Sequence, residues 1–385
     1  MNNFRLHNPT RIHFGKGQIE ALTNEVPADA KILMTYGGGS IKKNGVYDQV
    51  LRALKGRNVL EFSGIEPNPT YETLMKAVEQ VKTHKIDFLL AVGGGSVLDG
   101  TKFIAAAALW EGSDPWTILT GDAPVKKALP FGAVLTLPAT GSEMNSGAVI
   151  TKKATGDKLA FGSLVTFPLF SVLDPTTTFS LPPRQIGNGV VDAFVHIMEQ
   201  YLTYPAQAAV QDRFSEGLLL TLIEEGPKTL ANPNDYDSRA NMMWAATMAL
   251  NGLIGAGVPQ DWTTHMIGHE LTALYGLDHA QTLAIVLPSV MHILRKQKGA
   301  KIIQYGSRVW GINSGSESER IDQAIAKTRH FFESMQVPTT LKAYKIDSSA
   351  IPKILEGLKR HEMTAMGETG AVTLEVSAKI LEACL

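Results

Sequence analysis

The chain has 385 residues, which is long enough for two domains with separate hydrophobic cores. Its 44% hydrophobic and 19% charged residues are typical of a globular protein and argue against a disordered or fibrous one. The formal net charge is -1 and the sequence has no basic arm or stripe, which argues against nucleic-acid binding.

The N-terminal segment and the cysteine content indicate a cellular location. Residues 1–17 lack the apolar core of a signal peptide, and no apolar run is long enough to span a bilayer. The single cysteine, Cys384, excludes a disulfide within the chain and is compatible with a reducing compartment. We therefore expect a cytoplasmic protein that does not associate with a membrane.

The first part of the chain alternates short β-rich runs with helical patterns. The predicted pairs of strand and helix are 31–36 with 40–54, 59–62 with 71–83, and 88–92 with 97–109; further strands are predicted at 132–137 and 170–173. This alternation favours a parallel sheet with crossover helices, as in a Rossmann-like α/β domain.

The predicted secondary structure changes after the segment SLPPRQIGNG. Long amphipathic or fully apolar helical patterns then continue to the end of the chain, and Pro182 and Pro183 mark the change. We predict an α/β domain at residues 1–181 and an all-α domain at residues 182–385.

A glycine-rich turn follows the strand predicted at 88–92. Gly93, Gly94 and Gly95 precede Ser96 and the start of a helix, so backbone N–H groups and a helix N-terminus could bind a pyrophosphate. The spacing differs from the G-x-G-x-x-G dinucleotide fingerprint, and a plain tight turn is the alternative.

An earlier turn bears on the choice of nicotinamide cofactor. Gly37, Gly38, Gly39 and Ser40 stand where an NAD-selective site would place an acid on the adenosine ribose. Nothing there repels a 2′-phosphate, and two lysines follow. The turn therefore favours NADP over NAD; the alternative is a flexible loop with two solvated lysines.

A third segment, LTLPATGSEMNSGAVI, joins a predicted strand to a polar cluster. The cluster contains Thr136, Thr140, Ser142 and Asn145. Hydroxyl and amide groups of this kind suit contacts to a ribose and a nicotinamide carboxamide, although an ordinary Ser/Thr loop has the same composition.

The second part of the chain contains a candidate metal site. Asp192 and His196 are four residues apart on a predicted helix and therefore share a face. His265 lies in another helical stretch, and His279 follows a break at 276–278. One carboxylate and three neutral imidazoles suit zinc or ferrous iron, whereas calcium and magnesium prefer oxygen ligands.

A structural role for these four residues is the alternative. Histidines on apolar helices are often satisfied core residues, and Asp192 could be an acid favoured early in a helix. The cluster favours the metal, because an unpaired carboxylate in an apolar neighbourhood is costly and a cation relieves that cost.

Several segments together resemble the iron-containing (group III) alcohol dehydrogenases. They are GGGSVLD at 93–99, LPATGSE at 137–143, VLDP at 172–175, LPPRQIGNGVVDAFVHIMEQY at 181–201 and HMIGHELTALYGLDHA at 265–280. The resemblance covers essentially the whole chain and is nearest to the bacterial NADPH-dependent, broad-substrate aldehyde reductase or butanol dehydrogenase branch.

The resemblance implies a dehydroquinate synthase-like architecture: an N-terminal dinucleotide-binding domain and a C-terminal helical domain, with metal, nicotinamide and substrate in a cleft, and a homodimer. It implies that Asp192, His196, His265 and His279 bind one divalent metal, zinc or iron. The cofactor contacts that it implies are Gly38, Gly39, Ser40, Gly94, Gly95, Ser96, Asp99, Thr136, Thr140 and Lys158.

The resemblance also places His269 near the nicotinamide without making it a ligand, and a catalytic role in proton return is its candidate function. Packing on the helix face of His265 is the alternative for His269, and a surface position is the alternative for Lys158. Two departures from the family pattern, Ala280 after the last ligand and Gly187, could alter the pocket wall.

The expected activity is the reversible, NADPH-dependent reduction of short to medium-chain aldehydes, with the metal polarising the carbonyl. An NAD-dependent, glycerol-type polyol dehydrogenase is one alternative. A dehydroquinate synthase-like cyclase is another, but residues 185–211 and 242–294 lack the lysines and arginines that an anionic substrate needs. A metal-binding protein without turnover would need neither glycine-rich turn.

Overall fold

The computed structural model describes residues 1–121 and 124–385, and the chain forms two compact units. The α/β unit comprises His7–Leu181 and Pro233–Thr247, and the helical unit comprises Met1–Leu6, Pro182–Asn232 and Met248–Leu385. The units interleave along the sequence, whereas the predicted domains 1–181 and 182–385 are contiguous; those domains stay a prediction.

The strands and helices have the following bounds. The strands are β1 (Arg11–Phe14), β2 (Lys31–Thr35), β3 (Asn58–Phe62), β4 (Phe88–Gly94), β5 (Phe131–Leu137), β6 (Gly147–Lys152), β7 (Asp157–Gly162), β8 (Phe170–Leu173), β9 (Ala365–Met366) and β10 (Val372–Thr373). The α-helices are α1 (Leu22–Glu25), α2 (Ser40–Lys43), α3 (Val46–Ala53), α4 (Tyr71–His84), α5 (Gly95–Ala108), α6 (Thr117–Thr120), α7 (Pro183–Tyr201), α8 (Ala209–Ala231), α9 (Tyr236–Ala249), α10 (Thr263–Tyr275), α11 (His279–Ile293), α12 (Arg295–Trp310), α13 (Glu317–Ser334), α14 (Ala350–Arg360) and α15 (Leu374–Glu382).

A six-stranded parallel sheet with the order β1-β8-β5-β4-β2-β3 forms the centre of the α/β unit. Successive residues of a strand point to opposite faces. Leu33 and Leu89 accordingly pack in one core with α4 and α5, while Ile32 and Leu90 pack in another core with α1 and α3. Because both faces are covered, the central strands are apolar along nearly their whole length.

The helical unit is built around α7, α10 and α11. Helix α7 begins with Pro183 at its first turn, a position where proline costs no hydrogen bond. Its Phe194 ring packs against Phe331 and Phe332 of α13, with ring centroids 5.3 Å apart in both pairs. Helices α10, α11, α14 and α15 share a second apolar core.

Gly187 allows α7 to approach the end of α13 closely. A Cβ atom at this position would lie 2.1 Å from the backbone oxygen of Met335. Real Cβ atoms do not tolerate such a distance, so the glycine is required by helix packing at this point.

The predicted fold class, a Rossmann-like α/β part followed by a helical part, is confirmed. Two details differ. The helix predicted at 40–54 is split into α2 and α3, because Gly45 has a positive φ of 79° and starts a new helix. The part predicted to be all-α also contains the short antiparallel pair β9 and β10. Among the described residues, no helix combines the length and apolarity needed to cross a bilayer.

Candidate functional site

Three helices of the helical unit supply the four predicted metal ligands. Asp192 and His196 lie on α7, His265 lies in the first turn of α10, and His279 is the first residue of α11. Each residue offers one ligand atom, and these four atoms all lie within 4.8 Å of one another. The structure therefore brings the four predicted residues together, and their binding of a metal stays a prediction.

The spacing of the ligand atoms suits a small cation. The Asp192 Oδ1 atom lies 3.7 Å from His279 Nε2 and 3.8 Å from His196 Nδ1. Ligands about 2.1 Å from a tetrahedral ion are separated from one another by roughly 3.4 Å. A modest inward adjustment of these side chains would thus give a zinc or iron shell.

Local structure fixes His279 relative to α7. Gly276 ends α10 in the left-handed conformation with φ 67°, and Asp278 then caps α11. The Asp278 Oδ2 atom accepts hydrogen bonds from Arg184 Nε and Asn188 Nδ2, both at 2.7 Å. These contacts hold the start of α11 against α7, the helix that carries Asp192 and His196.

Burial gives the cluster the electrostatic character of a metal site. Asp192, His196 and His265 are at most 5% exposed, and the His279 side chain is 25% exposed. Burial lowers the pKa of His196 well below its ordinary value, and the nearby His265 lowers it further. Neutral imidazole is the form that binds a metal, so the donor set fits a divalent cation.

His269 lies beside this cluster but contributes no atom to it. It is buried on α10, and its ring centroid lies 5.4 Å from that of His279 and 6.3 Å from that of His265. The Trp262 ring closes another side, 5.2 Å from the His265 ring. The predicted catalytic role of His269 stays a prediction.

The predicted nucleotide turns lie at one edge of the parallel sheet. Strands β2, β4 and β5 are neighbours, and their carboxyl ends lead into the turns at 36–40, 95–96 and 138–142. The chain order of the strands reverses between β2 and β4, and ligands of open α/β sheets bind at such a reversal.

Glycines are required in the turn after β4. A Cβ atom at Gly94 would lie 2.9 Å from Leu137 Cβ, and one at Gly95 would lie 2.6 Å from the Thr140 side chain. Gly94 ends β4, and Gly95 begins the 14-residue helix α5 with Ser96 in its first turn. A helix N-terminus can hold a pyrophosphate, and this contact stays a prediction for α5.

The turn after β2 is more open. Gly38 and Ser40 are exposed, Gly37 and Gly39 are partly exposed, and Gly39 has a φ of 90°. Space around Gly38 is free, because a Cβ atom there would meet no heavy atom of residues 1–121 and 124–385 within 4 Å. Lys42 pairs with Glu61 at 3.2 Å, so this lysine is held by an acid of β3.

A buried polar network lies beneath the third predicted segment and centres on Lys102, which the sequence analysis did not single out. The Lys102 Nζ donates to Ser142 Oγ at 2.8 Å, Asn145 Oδ1 at 2.9 Å and the Gly147 carbonyl at 2.8 Å. Asp99 Oδ1 accepts from Ser142 Oγ at 2.6 Å, and Asp99 Oδ2 accepts from the Val149 amide at 2.9 Å. Asp99, Ser142 and Asn145 thus shape this segment, and their contact with a cofactor stays a prediction.

Two further predicted cofactor residues are also placed by the structure. Thr136 is nearly buried in β5. Lys158 lies in β7 of the antiparallel β6–β7 hairpin, is 4% exposed, and donates to Asn68 Oδ1 at 2.9 Å. The surface alternative for Lys158 is therefore wrong, because an aliphatic stem and an ammonium group are both enclosed.

Comparison with known proteins gives matches along nearly the whole chain. The family model described as "Iron-containing alcohol dehydrogenase" matches residues 9–175, and that of the "Fe-containing alcohol dehydrogenase family, C-terminal" matches residues 187–373. The chain is 65% identical to the NADPH-dependent aldehyde reductase YqhD of Escherichia coli K12, over 100% of both chains. It is 42% identical to the probable NADH-dependent butanol dehydrogenase 1 of Bacillus subtilis 168, again over 100% of both. The crystal structure of Escherichia coli K-12 YqhD superposes with a TM-score of 0.99 at 64% identity, covering 100% of this chain and 99% of that one.

Proposed function

Because the chain belongs to the iron-containing alcohol dehydrogenase family, we propose that it reduces short to medium-chain aldehydes to alcohols with NADPH, and catalyses the reverse reaction. The observation that carries this proposal is the convergence of Asp192, His196, His265 and His279 to within 4.8 Å in a buried part of the helical unit. A close relative that is an NADPH-dependent aldehyde reductase supports the same activity.

The proposed metal is zinc or iron, held by those four side chains. When bound, the metal supplies a Lewis acid that polarises the aldehyde oxygen, and NADPH supplies the hydride. The four side chains would hold the ion in place, and the burial of Asp192, His196 and His265 limits the access of water to it. His269 is proposed to hold the proton that the alcohol oxygen acquires, since its ring lies beside the cluster.

The surroundings of the cluster favour an alkyl aldehyde. The Trp262 ring lies near the rings of His196 and His265, and no lysine or arginine occurs in 185–211 or 242–294. An apolar wall without cations binds neutral substrates better than anionic ones. This argues against the sugar-phosphate cyclase alternative.

The proposed activity is tested by metal removal and reconstitution. Protein stripped with a chelator is reloaded with Zn²⁺ or, without oxygen, with Fe²⁺, and NADPH oxidation is followed with a panel of straight-chain aldehydes. We expect the stripped protein to be inactive and at least one metal to restore turnover of butanal, because the carbonyl needs a Lewis acid.

Two results would contradict this function in different ways. Consumption of a phosphosugar without net loss of NADPH would favour a cyclase, and faster oxidation of glycerol with NAD than any aldehyde reduction would favour a polyol dehydrogenase. If the protein binds one metal ion per chain but no nucleotide, the result would favour a metal-binding protein without turnover.

The preference for NADPH predicts the effect of an acid at Gly38. We expect Gly38→Asp to raise the Kd of NADPH about tenfold or more, because a carboxylate near a 2′-phosphate repels it by roughly 1.4 kcal/mol or more. The position has room for a side chain and an ordinary φ. Fluorescence titration with NADPH and NADH measures the change.

Gly38→Asn is the matched control, since it has the same shape without the charge. It should leave NADPH affinity close to that of the wild type, and Gly38→Asp should leave NADH affinity nearly unchanged. An equal loss of both cofactors in the Asp variant would show that this turn does not select the 2′-phosphate.

We further propose a cytoplasmic homodimer. The family resemblance supports the dimer, and a single cysteine, buried near the end of α15, is compatible with a reducing compartment.

A further inference from the structure

Glu199 of α7 contacts His265, a predicted metal ligand, but is not itself one of the four predicted ligands. It follows Asp192 by seven residues and His196 by three, so all three side chains lie on one face of the helix. Glu199 is 3% exposed, and its Oε2 atom is hydrogen-bonded to Nδ1 of His265. The Glu199 carboxyl group thus touches Nδ1 of this imidazole.

The position of Glu199 is fixed by the start of α10. Its Oε1 atom accepts from the backbone amides of Thr264 at 2.6 Å and His265 at 3.3 Å. Its own carbonyl oxygen accepts from the Asp261 amide at 2.8 Å. Both carboxylate oxygens and the backbone therefore have partners, and the side chain has no freedom to turn away from His265.

A neighbouring buried cluster of one lysine and two acids lies at this helix end. Asp261 caps α10 by accepting from the Thr263 amide at 2.7 Å. Lys298 lies 2.7 Å from Asp261 and 2.8 Å from Glu368 and also donates to the Leu202 carbonyl at 2.6 Å. Lys298 thus pairs with Asp261 and Glu368, while the Glu199 carboxyl group contacts the His265 ring.

This contact decides which ring nitrogen of His265 can bind a metal. With Nδ1 facing Glu199, only Nε2 is left for the cluster that contains Asp192, His196 and His279. An imidazole that donates its Nδ1 proton carries its lone pair on Nε2, which is the form that a metal requires. A carboxylate in this position also makes the imidazole a stronger donor to the ion.

We propose that Glu199 is a positioning residue that orients His265 as an Nε2 ligand of the metal. The inference rests on the proposed metal site and adds to it the group that sets the orientation and tautomer of one ligand.

Metal affinity of the purified full-length protein tests the proposal without reference to turnover. Metal-free wild type, Glu199→Ala and Glu199→Gln are titrated with Zn²⁺ in competition with a chromophoric chelator, and Co²⁺ spectra report the ligand field. We expect Glu199→Ala to weaken Zn²⁺ binding about 10- to 100-fold and to change the Co²⁺ spectrum. Glu199→Gln keeps the volume and one acceptor oxygen, so its affinity should lie between those of wild type and Glu199→Ala.

Glu270→Gln is the matched control, because it changes another buried Glu–His pair that lies outside the ligand cluster. Glu270 is 3% exposed in α10 and accepts from His361 Nδ1 at 2.6 Å, but His361 is not part of the ligand cluster. Removing this charge should lower thermal stability while leaving Zn²⁺ affinity and the Co²⁺ spectrum as in the wild type.

The outcomes separate this inference from the proposed function. Zn²⁺ affinities of both Glu199 variants within threefold of wild type would overturn the positioning role, as would an equal loss in Glu270→Gln. If Glu199→Ala does not fold, Glu199→Gln decides between these results. Failure of wild type itself to bind a metal would overturn the proposed site, and the inference with it.

Discussion

Replacing Asp192 or His265 by alanine is expected to abolish aldehyde reduction while leaving the α/β unit folded. Each substitution removes one of four converging side chains, and we expect the remaining three to bind the ion more weakly and in an altered geometry. Losing several kcal/mol of Lewis-acid stabilisation lowers kcat/KM about a thousandfold or more. NADPH oxidation with butanal and the metal content of the purified variants measure the effect.

The fold of these variants is checked independently of turnover. NADPH binding should persist, because the predicted nucleotide residues belong to the α/β unit and both ligands belong to the helical unit. His361→Ala is a suitable control, since it removes a buried histidine of the same unit that lies outside the cluster. Near-full activity of either ligand variant would remove the proposed metal site.

Replacing Lys102 by methionine is expected to lower the free energy of unfolding by about 3–5 kcal/mol, the usual cost of leaving a buried charge without its partner. Lys102 is fully buried and donates three hydrogen bonds, which is all that an ammonium group can make. Burial lowers its pKa to about 8, while Asp99 and Glu143 oppose the shift, so the group is still mostly charged at neutral pH. Urea unfolding followed by circular dichroism measures the loss.

The acids around Lys102 explain the size of the effect. Burial raises the pKa of both Asp99 and Glu143, and in each case Lys102 acts in the opposite direction. Methionine has a similar length but no charge, so the carboxylate of Asp99 would lose its closest cation. NADPH affinity should fall as well, because Ser142 and Asn145 lose the donor that holds their segment in place.

A double variant separates the charge from the packing. Lys102→Met combined with Asp99→Asn removes both charges and keeps an acceptor for the Val149 amide. It should be less destabilised than the sum of the two single variants, with a coupling of roughly 1 kcal/mol or more. Additive losses, or a loss below about 1 kcal/mol for Lys102→Met alone, would contradict a buried ion network.

The sequence allows the four predicted ligands to be proposed as one cluster, because helical periodicity and a helix break indicate their positions. Asp192 and His196 share a face at a spacing of four, and the break at 276–278 indicates that His279 begins a new helix. The parallel sheet can also be predicted from the sequence, because apolar runs alternate with helical patterns in the α/β part. These features depend on residues that are close together in the chain.

The contacts that the sequence does not predict join residues far apart in the chain. Glu199 contacts His265 across 66 positions, and Lys102 contacts Ser142 across 40 positions and Asn145 across 43. Lys102 also lies in a helix of mostly small and apolar residues, where its only local signal is the acid three residues earlier. Segment 233–247 belongs to the α/β unit only because of tertiary contacts, which no local pattern shows.

The placement of Asp192, His196 and Glu199 along one side of α7 has a mechanical consequence. A helix is stiff over two turns, so a displacement of α7 carries these three groups together as a rigid body. Asp192 and His196 therefore keep their positions relative to each other when α7 moves. The spacing of the four ligand atoms then depends on how α10 and the first residue of α11 move relative to α7.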